Sequence, residues 1–505
     1  MPAVRPAKRQ ATVAGVIGVI APAAVLVLGM VAAVNILIPR LQASGLHPSV
    51  SGTAWIVDSY TLVFACMLIP AGALGDRFGR KRGMLIGLVV FAAGSAMAAL
   101  APSVAVLMLG RAICGVGAAL VLPATLAVTL AQLEPADRPR AVALWSSLTG
   151  VGGVLGNLGG GLAVQAGGWR WLFWAGVPIA LAAAALIASR VPCQVPHKDP
   201  VDGGGALLLT AGSVALLYGI IDGPQLGWTS WQVTGPLGAA VVLLAVFTRY
   251  ELRRRHPMLD PRLFKLAGVR TGSFGIVALF FALFGLFYVN AQYLQDVKGY
   301  SALLTGVAVL PLGTVMPLVG PRSMCLAARI GERATIISGL LVLAAGLFLL
   351  SLWTVGTPYP GYALMLAMIS GGTGLAMPPL SVMIVRALPP GHAGVSSGLN
   401  STARELGSAL GVAVLSTILT TRFASHLPGA LQHVPGPQGT AIRHSITAAL
   451  GYATSATNPD TQAQLVHATR AAFTSGTSLG LRVGAALILL TAVVVFHQHP
   501  NERQG

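Results

Sequence analysis

Apolar residues in this chain run in blocks of about twenty, a length that constrains its fold more than any other feature. Fourteen blocks can be drawn, near 13–38, 52–71, 83–101, 104–130, 141–165, 169–189, 204–221, 232–248, 271–295, 302–320, 334–353, 360–385, 398–419 and 476–496. Each is long enough to cross a hydrocarbon core about 30 Å thick. Backbone polar groups have no water partner in lipid, so only helices or a closed barrel can span it. The runs are continuous and lack strict alternation, so the blocks are expected to be helices. Only 9% of the 505 residues are charged, against about 25% in a soluble globular chain. The 62 glycines suit close helix packing in lipid, where small residues let backbones approach.

The 32 Lys and Arg residues outnumber 14 Asp and Glu, giving a net charge of +18. They lie in short clusters between apolar blocks, which is the pattern of a positive-inside membrane protein and not of a nucleic-acid binder. With the N-terminus in the cytoplasm, 23 of the 32 fall on cytoplasmic segments and 6 on the other side. The expected topology therefore has both termini cytoplasmic and residues 420–475 as a polar extracytoplasmic loop. Arg5, Lys8 and Arg9 precede the first apolar run, which ends in Pro39-Arg40 without a small-residue cleavage site beside a short core. That run is expected to be an uncleaved first helix. Cys66 and Cys114 lie inside apolar blocks, and Cys193 and Cys325 in expected cytoplasmic loops. No disulfide framework is implied.

One segment recurs. Gly75-Asp76-Arg77-Phe78-Gly79-Arg80-Lys81-Arg82 follows the second block, and Ala327-Ala328-Arg329-Ile330-Gly331-Glu332-Arg333 follows the tenth. Two six-helix halves would place the second copy after helix eight, so two extra helices stand between them. The implied division is an N-terminal bundle 1–190, two inserted helices with a basic linker over 191–270, and a C-terminal bundle 271–505. The fold class is all-α and polytopic.

Gly72-Ala73-Leu74-Gly75-Asp76-Arg77-Phe78-Gly79-Arg80-Lys81-Arg82 sets one acid among four bases in a turn with spaced glycines. Topology alone explains the bases but neither Asp76 nor the glycines, so Gly72, Asp76, Arg77, Gly79 and Arg80 are candidate parts of a conformational gate. The segment resembles the signature loop of the major facilitator superfamily. Three further stretches resemble its fourteen-helix drug:proton antiporter branch, the EmrB/QacA-like exporters. They are Trp55-Ile56-Val57-Asp58-Ser59-Tyr60-Thr61-Leu62, the Arg111-Ala112-Ile113-Cys114-Gly115 run, and Gly152-Gly153-Val154-Leu155-Gly156-Asn157-Leu158-Gly159-Gly160. Similarity continues through Pro257-Met258-Leu259-Asp260-Pro261-Arg262 and Arg404-Glu405-Leu406-Gly407. The resemblance implies two bundles with two extra central helices, proton-coupled export of lipophilic neutral or cationic small molecules, and an antiporter motif at Gly152, Gly156, Asn157 and Gly160. It also implies a multi-pass protein of the cytoplasmic membrane, working as a monomer without cofactor or metal.

There are departures from that pattern. Asn157 replaces the motif's usual proline, with a stiffer fifth helix expected. Met30, Met316 and Ala328 stand where relatives carry acids. Asp58 and Glu405 are then the two carboxylates deep inside apolar blocks, and intramembrane acids mark substrate or proton paths. Arg111 lies at the depth of Asp58, and Arg404 adjoins Glu405; a static structural pairing is the plainer alternative for each. Trp55, Tyr60, Trp145, Phe287, Tyr288 and Tyr293 are candidate cavity aromatics. The glycine run of the fifth helix lacks a preceding strand and a following Lys-Ser or Lys-Thr, so helix packing is expected rather than phosphate binding. His497 and His499 are expected to be solvated. A dedicated exporter of one metabolite or antibiotic is the rival carrier reading. A membrane enzyme or receptor has no nucleotide loop, metal cluster or nucleophile–base constellation to support it.

Overall fold

The computed structural model describes residues 12–42, 44–46, 50–192, 202–254, 257, 260–388, 393–455 and 458–498. Its first six helices are α1 (Val13–Gln42), α2 (Val50–Phe78), α3 (Arg80–Ala99), α4 (Val104–Gln132), α5 (Arg138–Gly167) and α6 (Arg170–Arg190). An inserted pair follows, α7 (Gly203–Leu226) and α8 (Trp231–Glu251). The rest comprises α9 (Ala267–Gln292), α10 (Ala302–Ala308), α11 (Leu310–Ile330), α12 (Glu332–Leu350), α13 (Tyr359–Ala387), α14 (Ala393–His426), α15 (Gly429–Gln432), α16 (Gly436–His444), α17 (Ile446–Thr454) and α18 (Pro459–Gln498). Among the described residues, 12 helical segments are long and apolar enough to cross a membrane. The long helices α2 and α5 carry shorter apolar stretches, Trp55–Leu68 and Val151–Ala163. With them, each of the fourteen sequence blocks corresponds to a helix.

Two large apolar cores form. One draws mainly on α1–α6, including Tyr60, Phe64, Phe91, Trp145 and Phe173, and the other mainly on α9–α18. The inserted pair lies at the side, and α8 buries only Val233, Ala240, Phe247 and Glu251. Its exposed apolar side chains, Trp231 and Val241 among them, suit a surface covered by lipid.

The repeat seen in sequence has a structural counterpart. Only Gly79 separates α2 from α3, at φ 95°, and only Gly331 separates α11 from α12, at φ 90°. An L side chain rarely adopts such a conformation. Two residues past Gly79, Lys81 donates to the Ala188 carbonyl on α6 at 2.8 Å. Two past Gly331, Arg333 donates to the Phe496 carbonyl on α18 and stacks on its ring. At the first position the charge inverts: Arg80 donates to the Ala127 carbonyl on α4, whereas Glu332 pairs with Arg386 on α13. We call this end of the bundle the basic end.

Two expectations are corrected. Residues 420–475 are not an irregular polar loop: α14 continues to His426, α15–α17 follow, and α18 starts at Pro459. Leu431, Ile442, Ile446 and Ala449 bury against the second core, so this segment is a packed helical cap. Cys325 lies within α11 and not in a loop, although it is exposed. Cys193 and His499 lie outside the described residues.

Candidate functional site

The two cores meet where α2 packs on α14, α4 on α14, and α5 on α11 and α13. Ser147 of α5 fits against Gly320 of α11, where a Cβ would stand 2.7 Å from its hydroxyl. Ionisable residues gather along this seam.

Arg111 of α4 is fully buried, 0% exposed. It donates from Nε to the Ile56 carbonyl at 3.0 Å and from Nη2 to the Val57 carbonyl at 3.2 Å, both on α2. Its guanidinium lies 4.5 Å from the Tyr60 ring centroid, and Tyr60 in turn donates to the Val27 carbonyl of α1 at 2.9 Å. Nη1 is buried without a hydrogen-bond partner among the described residues. Asp58, one residue past those carbonyls and half-buried, interacts with Arg111 through space. The structure thus brings Asp58 and Arg111 together by way of the α2 backbone.

Arg404 of α14 is also buried, and its guanidinium sits 4.7 Å from the Phe280 ring and 5.4 Å from Trp145. Trp145 is anchored by its Nε1 to Thr125 Oγ1 at 2.9 Å. Cation–π contacts of this kind are worth up to about 2 kcal/mol when desolvated. Glu405, half-buried, interacts with Arg404 and lies within electrostatic reach of Tyr60. One turn before Arg404, Asn400 is 0% exposed and neither amide atom has a partner among the described residues.

Sequence reasoning missed one acid. The seventh apolar block ends at 221, but α7 runs on to Leu226 and encloses Asp222, which is 7% exposed. Its carboxyl interacts with the Tyr218 hydroxyl and lies within electrostatic reach of Asp58.

The remaining candidates separate. Gly152, Gly156 and Gly160 share one face of α5 against α1, and a Cβ at Gly156 would fall 2.1 Å from the Gly29 carbonyl oxygen. Asn157 stands beside that face, partly exposed, in an unbroken helix. Gly72 is buried, Arg77 stacks on Phe78 at 5.5 Å, and the side chain of Asp76 lies outside the described residues. Trp55 packs on Tyr218 at 5.5 Å. Phe287 faces outward, while Tyr293 joins Asn290, Trp353 and Tyr362 around a small pocket at the end of the second core away from the basic end.

The family model for the Major Facilitator Superfamily matches residues 20–412. The chain is 34% identical to multidrug resistance protein Stp of Mycobacterium tuberculosis over 80% of its own length and 75% of that protein. It is 31% identical to the tetracenomycin C resistance and export protein of Streptomyces glaucescens, covering 92% and 88%. It is also 31% identical to the multidrug efflux pump LfrA of Mycolicibacterium smegmatis, covering 90% of each. Among solved structures, the human organic anion transporter MFSD10 superposes with a TM-score of 0.64 at 17% identity, covering 97% of this chain and 100% of that one. At that identity the likeness is one of fold.

Proposed function

Because this chain belongs to the major facilitator superfamily and is a multi-pass membrane protein, we propose that it is a proton-coupled antiporter exporting lipophilic neutral or cationic small molecules. The observation that carries this reading is the set of two buried arginines and the partly buried acids beside them along the seam between the halves. Ions at that depth cost several kcal/mol, and a carrier offsets that cost by using them. Asp58 and Glu405 are the proton-exchanging acids, and Arg111 balances the first while holding α2 to α4. The halves, 1–190 and 271–505, rock about this seam as a monomer. The basic end faces the cytoplasm, so both termini are inside. The segment from Gly72 to Arg80, the end of α2 and its one-residue turn into α3, acts as the gate, because Arg80 and Lys81 tie that turn to the ends of α4 and α6.

Cells expressing the chain should extrude ethidium, and a protonophore should abolish the gradient. Efflux that survives the protonophore would rule out proton coupling. A reporter fused after Gly505 should be active only in the cytoplasmic form, and phosphatase activity there would reverse the orientation. A narrower reading, export of a single antibiotic, is favoured by Met30 and Met316, both buried where acids of broad-range relatives are expected. The tetracenomycin C exporter among the relatives accords with it. Growth inhibition across chemically diverse compounds separates the two.

A further inference from the structure

The inserted pair is an addition to a two-bundle carrier, yet α7 does not hang at the periphery. It packs on α2 of one half and α14 of the other. Leu217 of α7 buries with Leu62, Ala65 and Cys66, and Ile221 packs with Leu406 and Ala409 around them. Just past α7, Trp228 donates from Nε1 to Thr417 Oγ1 of α14 at 3.1 Å. The helix is thus fixed to both halves at the seam, and its last turns present Asp222 there.

Among the described residues, the charged groups around Asp222 are few. From α2 comes Asp58, within electrostatic reach. Behind Asp58 stands Arg111 of α4. From α14 comes Glu405, which interacts with Arg404. The ionisable residues of α8, Arg249, Tyr250 and Glu251, lie at its far end. On α7 itself, Tyr218 stands one turn before Asp222 and its hydroxyl interacts with that carboxyl.

Resting on the antiport reading above, we infer that Asp58 and Asp222 form a two-carboxyl site that holds one exchangeable proton, so that the inserted helix is part of the coupling machinery. Trp55, one turn before Asp58, packs its ring on Tyr218, one turn before Asp222, so the two acids lie on neighbouring turns of the α2–α7 contact. Two carboxylates that feel one another's charge there do not both ionise. One proton therefore stays on the pair, and its single remaining negative charge is balanced by Arg111. The Nη1 of that fully buried guanidinium, without a hydrogen-bond partner among the described residues, is the second sign that the site is built around an exchangeable charge. When a monovalent cationic substrate enters, it replaces the positive charge of the proton. The carboxylic O–H bond breaks, the proton passes to bulk water, and both acids stay ionised around the cation. On release to the other side a proton returns, and no electrons move.

The test uses the full-length protein in detergent at weak buffering, with ethidium as the probe and a pH dye as readout. Wild type should release about one proton per ethidium bound near neutral pH. Asp222→Asn should bind ethidium at least about tenfold more weakly, because the seam then lacks the negative charge that receives the cation, and at saturating dye it should release at least about fivefold fewer protons, since Arg111 alone neutralises Asp58 and the pair holds no proton to displace. Asp222→Glu should restore release. If Asp222→Asn fails to reach the membrane, Tyr218→Phe is the second variant, and it should lower proton release while leaving the acid in place. Wild-type release by Asp222→Asn, or by Tyr218→Phe where that variant stands in, together with loss in Asp58→Asn, would overturn the shared site while leaving antiport intact. No proton release by wild type, with efflux indifferent to a protonophore, would instead remove the antiport reading and this inference with it.

Discussion

An arginine taken out of water costs several kcal/mol unless its donors and charge are met. Arg111 meets that cost with two backbone carbonyls of α2, the face of Tyr60, and the through-space attraction of Asp58. Most of those partners depend on the planar guanidinium fork, which a lysine lacks. Arg111→Lys keeps the charge but can reach only one of the carbonyls at a time. Loss of one charge-assisted hydrogen bond and of the stacked geometry should cost about 2 kcal/mol. We expect a lower thermal midpoint in detergent and a large loss of efflux at equal membrane level. An unchanged midpoint would show that the clamp on α2 contributes nothing. Arg404 differs, because Phe280 and Trp145 sandwich it. Two aromatic walls from two halves cannot be read from sequence neighbours, and this contact was invisible before the fold.

At the scale of elements, the α1–α5 contact depends on a glycine stripe. Gly152, Gly156 and Gly160 recur every four residues, which puts them on one helical face, and that face meets Gly29 and Ala33 of α1. Gly156→Leu forces a side chain onto the Gly29 carbonyl and should deplete folded protein in the membrane, whereas Gly153→Leu enters open space and should be tolerated. Quantifying both variants by fluorescence size-exclusion of a fusion protein tests this, and equal profiles would sink it. The fourteen apolar blocks were legible because crossing lipid imposes length and continuity on each helix. The α2–α3 turn was legible too, since Gly79 marks the one residue between two helices, at φ 95°. Asp222 was not, because a hydropathy block stops at the first acid, while the helix continues wherever tertiary partners cover it. Residues 420–475 misled for a related reason. Gly, Pro and His dilute the apolar residues, and the few present, such as Leu431 and Ile446, bury only through long-range packing. Depth and motif resemblance single out Asp58 and Arg111, but the link between them runs through backbone carbonyls that no side-chain pattern encodes.

For the molecule as a whole, the proposed antiport makes the charges held along the seam limit what can be carried. The acids are Asp58, Asp222 and Glu405, and the bases are Arg111 and Arg404. With one proton on the Asp58–Asp222 pair the seam is neutral, and without it the seam carries one net negative charge. A monovalent cation completes the balance in place of the proton, but a dication leaves one positive charge over. An uncompensated charge in a low-dielectric site costs several kcal/mol, and moving it through 100 mV adds about 2.3 kcal/mol. Among the described residues no further acid lies along the seam to offset it, and Met30 and Met316 are buried methionines. Ethidium and propidium share a phenanthridinium core and differ by one positive charge, so they isolate this term. We expect propidium efflux at least about tenfold slower than ethidium efflux, since a factor of ten needs only about 1.4 kcal/mol. Equal efflux of the two dyes by wild type would show that substrate charge is balanced by groups other than these five.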